Sequence, residues 1–83
     1  MMSQSKIETT IGMCVIALTR HIMQKENVDN ESAYKCLLQT ELYDLLKDPD
    51  SRLYLETNDY LIKAYDTELT GGKNALYNFI NKE

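Results

Sequence analysis

The 83-residue chain has no tryptophan, one proline, three glycines, one phenylalanine, one histidine and two cysteines. So little glycine and proline excludes collagen-like and low-complexity architectures and argues against disorder. One histidine and two cysteines exclude the common zinc folds: Cys14 lies seven positions before His21 and Cys36 fifteen after it, outside the usual ligand spacings. The longest apolar run, Met13 to Leu18, is far short of the roughly 20 residues that cross a bilayer, so no membrane partner is expected. No secretory signal pattern opens the chain; the expectation is a cytoplasmic protein in which both cysteines are reduced core thiols. Charge of one sign is also scarce. Thirteen acidic against nine basic residues give a net charge of -4, with no block of like charge to attract a phosphate backbone.

What is present is helical periodicity. Ile7, Ile11, Cys14, Val15, Leu18 and Ile22 recur at steps of three, four and one, one apolar stripe over residues 6–24, and Met13, Ile16, Ala17 and Met23 widen it. This breadth predicts a central first helix contacted from two sides, with Gly12 allowing a neighbour to approach closely. A polar connector over 26–30 follows, with Asp29 or Asn30 as the cap of a second helix. That helix carries Ala33, Tyr34, Leu37, Leu38, Leu42, Leu45 and Leu46 and must end by Asp48, since Pro49 disfavours helical geometry before it. Thr40 with Glu41 can start a fresh turn, so the segment reads either as one helix or as two short ones. Asp48-Pro49-Asp50-Ser51 is a turn. Arg52 to Leu55 reads as an extended piece or as one helical turn. Thr57, Asn58 and Asp59 cap a third helix with Tyr60, Leu61, Ala64, Tyr65 and Leu69 on one face; Gly71-Gly72 ends it, and a last short helix over 73–81 shows Ala75, Leu76, Phe79 and Ile80.

The series Ala33-Tyr34, Leu37-Leu38, Leu42-Tyr43, Leu45-Leu46, Leu53-Tyr54-Leu55-Glu56, Tyr60-Leu61, Tyr65 and Glu68-Leu69 resembles a group of short uncharacterised bacterial proteins over roughly residues 10–70. The resemblance implies an all-helical bacterial domain with a protein partner, in genomic settings of the toxin–antitoxin kind. One departure stands out: Ser51-Arg52 replaces the Thr-Gly pair of that pattern, so the turn here is expected to differ in geometry.

The chemistry-bearing residues do not assemble a site by spacing. Cys14 and His21 on one helix are about 10 Å apart along its axis, too far for direct proton transfer. Asp48, Asp50 and Asp59 imitate a calcium loop, but Leu53 stands where glycine is required. Gly71-Gly72-Lys73 lacks the rest of a phosphate loop, and Asn30-Glu31-Ser32 fits a glycosylation pattern that needs secretion to matter. No catalytic residue, metal ligand or cofactor is therefore expected. Six tyrosines exceed the needs of so small a core, and tyrosine is an interface residue. The bland expectation is that most of them rim the core. The sharper one makes Tyr43, Tyr54 and Tyr60 an exposed partner patch around the Pro49 turn.

The fold expected is all-α, a single domain over residues 1–83 with 1–5 as a tail, built as a bundle of three to five short helices around the first. The function expected is a non-enzymatic protein-interaction module, antitoxin-like by resemblance, whose partner is another protein or a second copy. So small a core invites association. The rival is a helix-turn-helix regulator reading DNA with Thr57 to Leu69, which the acidic balance and a single mid-helix Lys63 disfavour; a small-ligand binder is third.

Overall fold

The computed structural model describes residues 4–81. Its elements are α1 (Gln4–Glu26), α2 (Asn30–Leu38), α3 (Glu41–Leu46), two 3₁₀ turns (Pro49–Ser51 and Leu53–Leu55) and α4 (Asn58–Asn81). The described residues contain no strand, and the all-helical expectation holds. Of the expected tail over 1–5, residues 1–3 lie outside the described residues, whereas Gln4 and Ser5 are helical. The Ser5 carbonyl is engaged there, accepting the Thr9 hydroxyl at 3.0 Å.

Local chemistry sets the element boundaries. Asn27, in the left-handed conformation (φ 55°), ends α1, and the Val28 N–H returns to the Met23 carbonyl at 3.3 Å. The Asp29 carboxylate accepts the Ser32 N–H at 2.8 Å and starts α2, and this bond holds its pKa below the ordinary aspartate value. Thr40 resolves the open choice in the second segment: its hydroxyl accepts the Tyr43 N–H at 3.0 Å, so α3 starts afresh after Gln39. Asp48 accepts the Asp50 N–H at 3.0 Å to begin the proline turn. Arg52 then takes the left-handed conformation (φ 60°, ψ 15°), one that residues with a Cβ adopt uncommonly. Leu53–Leu55 is a single 3₁₀ turn, and Thr57 opens α4 by accepting the Tyr60 N–H at 3.1 Å.

Within α4, Gly72 has φ 81° and ψ -171°, a conformation open essentially to glycine alone. The chain reverses there. Tyr60 and Phe79, nineteen positions apart, would be separated by about 28 Å along a straight helix; their ring centroids are 5.1 Å apart. The expected helix end at Gly71-Gly72 and the last short helix are therefore both present, folded as a hairpin.

α1 packs against α2, α4 and the Leu53–Leu55 turn, and α3 packs on α4. The core is Cys14, Leu18 and Ile22 from α1, Ala33 and Leu37, Leu42 and Leu46, Leu53 and Tyr54, then Leu61, Ala64, Tyr65 and Leu76. Three expectations are corrected here. Met13 and Ile16 do not widen the buried stripe, because no element covers that side of α1. Cys36 is exposed rather than a core thiol. A Cβ on Gly12 would meet nothing within 4 Å, so no close helix approach explains that glycine.

Candidate functional site

Polar side chains tie the bundle at two places. On one side Asp66 of α4 lies between His21 Nε2, at 3.1 Å, and Lys25 Nζ, at 3.2 Å, both from α1. Burial pushes the Asp66 carboxyl up, but the bonds from His21 and Lys25 outweigh it and the net shift is downward. The His21 ring meets Tyr65 edge-on, centroids 6.1 Å apart. This is an interhelical ion cluster. Cys14 does not approach it as a nucleophile, since its thiol lies 3.9 Å from the Tyr54 carbonyl and burial raises its pKa.

The second tie is a carboxylate of α4 capping α3. Glu68 accepts the Glu41 N–H at 2.8 Å with Oε2 and the Leu42 N–H at 2.9 Å with Oε1, while the Tyr77 hydroxyl donates to Glu41 Oε2 at 2.5 Å. That last bond raises the Tyr77 pKa. Sequence reasoning missed both clusters; a lone histidine and scattered acids carry no signal until α4 is laid beside α1 and α3.

The three singled-out tyrosines do not share one exposed patch. Tyr54, 9% exposed, is core. Tyr60 is half-buried against Phe79. Tyr43 is half-buried, with Lys47 Nζ 5.1 Å above its ring, and the hydrogen bond with the Tyr34 hydroxyl pushes its pKa up. Tyr54 was drawn inward because the 3₁₀ turn lays Leu53 and Tyr54 together onto α1.

Large apolar side chains are exposed elsewhere: Leu55 and Leu69, the latter against the expectation that it shares the covered face of α4, stand apart from the rest. Met13 is 65% exposed and Ile16 55%, both on the outward side of α1; Tyr34 and Leu38 of α2 are each 40% exposed. Ile16 and Tyr34 line one groove of about 260 Å³ with Val15, Thr19, Arg20 and Asn30, and Leu38 follows Tyr34 by one helical turn. Its volume falls below the roughly 300–1,000 Å³ clefts that take small molecules. Among the described residues no group of three or more histidine, cysteine, aspartate or glutamate side chains is placed to hold a metal ion, and no helix is long and apolar enough to cross a membrane. No protein-family model, curated protein or solved structure matches the chain.

Proposed function

We propose that the chain is a non-enzymatic protein-interaction module that docks a partner protein on the outward face of α1 and the adjoining flank of α2. The observation that carries this reading is the gathering of Met13, Ile16, Tyr34 and Leu38 in the open around one α1–α2 groove. Single exposed apolar residues are ordinary on any surface, whereas a contiguous patch marks a contact. The polar clusters that could suggest catalysis are occupied in joining helices: Asp66 serves His21 and Lys25, and Glu68 serves two backbone donors of α3. The resemblance to small bacterial helical proteins supports the same reading and attaches an antitoxin-like role to it. The DNA-reading alternative has less support, since Thr57 to Leu69 carries Asp59, Asp66 and Glu68 against Lys63.

Ile16→Glu tests the proposal, because the side chain is exposed and its replacement leaves the core intact. We expect capture of the partner from lysate by tagged chain to be lost in the variant while its melting temperature stays within a degree or two of the parent. Equal capture by the two chains would move the docking surface off this face.

A further inference from the structure

Resting on that docking face, we infer that its occupant is an amphipathic helix that brings a carboxylate beside its apolar residues. Lys6, Thr9, Met13, Ile16, Arg20 and Gln24 are all exposed and recur at steps of three and four. At 3.6 residues per turn they fall within an arc of roughly 80° on the side of α1 turned away from the bundle. This stripe has an apolar middle, a cation towards either end and no acidic residue, in a chain whose net charge is -4. Arg20 makes no ion pair among the described residues and stands in the wall of the α1–α2 groove beside Ile16 and Tyr34. The carboxylates near that groove are engaged elsewhere: Asp29 accepts the Ser32 N–H, and Glu31 Oε1 lies 4.0 Å from Lys35 Nζ. An uncompensated guanidinium beside an apolar groove selects a ligand that brings both an apolar side chain and a carboxylate. A helix does so at the spacing of the stripe, its apolar residues against Met13 and Ile16 and an acid towards Arg20. A second copy meeting the stripe with its own stripe brings cations to cations and is the poorer occupant.

The test uses the full chain and two labelled synthetic helical peptides with the same leucine stripe, one flanked by glutamates and the other by lysines, followed by fluorescence anisotropy. The net charge of -4 favours the lysine peptide, so preference for the glutamate peptide reports the stripe and not bulk attraction. We expect the glutamate peptide to bind roughly tenfold tighter, the preference to disappear in Arg20→Glu, and affinity for that peptide to fall by a similar factor in Ile16→Glu. Circular dichroism of both variants confirms that they stay folded. Equal binding of the two peptides, preference for lysine, or an Arg20→Glu variant that keeps the parent's preference overturns the acidic occupant; so does binding of neither peptide. A dimer in sedimentation that Ile16→Glu abolishes also overturns it, placing a second copy on the face. In each of these cases the docking reading stands or falls separately, on capture by Ile16→Glu.

Discussion

At the scale of single residues, two kinds of helix cap operate here. Asp29 and Thr40 cap helices from three positions away and were legible in the sequence, because donor and acceptor are neighbours along the chain. Glu68 caps α3 from 27 and 26 positions away, a bond no local pattern announces. Glu68→Ala leaves the Glu41 and Leu42 N–H groups without their charged acceptor at a part-buried site and is expected to cost about 1–3 kcal/mol, read as a lowered urea midpoint. Gly12 works in the opposite direction. With open space around its missing Cβ, Gly12→Ala is expected to raise stability by about 0.5–1 kcal/mol, measured the same way.

At the scale of elements, the molecule depends on reversals. The Thr40 break turns one apolar run into α2 and α3, and the hydrophobic pattern left that choice open since leucines at 37, 38, 42, 45 and 46 suit either geometry. The Gly72 reversal brings the limb over 73–81 back on the bundle, burying Leu76 and setting Tyr77 on Glu41. Gly72→Ala forces a side chain into a conformation that costs on the order of 1–3 kcal/mol. Its expected signature is local: faster amide hydrogen exchange over 73–81 than over α1. Uniform protection across the two segments would show that the limb is held without the glycine turn.

At the scale of the whole molecule, a single small core carries stability. Leu18 has no exposed surface and lies mid-stripe on α1, so Leu18→Ala is expected to cost about 2–5 kcal/mol, most of what a domain of this size commands. Calorimetry with a melting point close to the parent's would refute its central place. The shifted groups also set a pH window. Asp29 and Asp66 have pKa values depressed in the folded state, so their stabilisation is present above the unfolded aspartate value of about 4 and is lost as pH falls through their folded values. Tyr65, desolvated by burial, and Tyr77, bonded to Glu41, are raised; their contribution is present below about pH 10 and is lost as pH rises through the folded values. Cys14, raised by burial, adds a contribution that is present below the unfolded thiol value of about 8.5 and is lost as pH rises through its folded value, so a melting-temperature profile should fall at both ends, with the alkaline fall beginning at the thiol.

The sequence by itself determined the helical class, the stripe Cys14, Leu18 and Ile22, the short sets of cap candidates that include Asp29, Thr40 and Thr57, and a helix end at the glycine pair. Each of these follows from periodicity or from bonds spanning a few residues. Tertiary structure decided which apolar residues stay outside. Met13 and Ile16 are as hydrophobic as their buried neighbours, and Tyr34 as much a tyrosine as Tyr54, so composition does not separate them. A helix surrounded on part of its circumference leaves the remainder in water whatever residues lie there, and which part is covered depends on where α2, α4 and the Leu53–Leu55 turn pack. The same packing brought Asp66 to His21 and Glu68 to α3, across separations at which the chain's own pattern is silent.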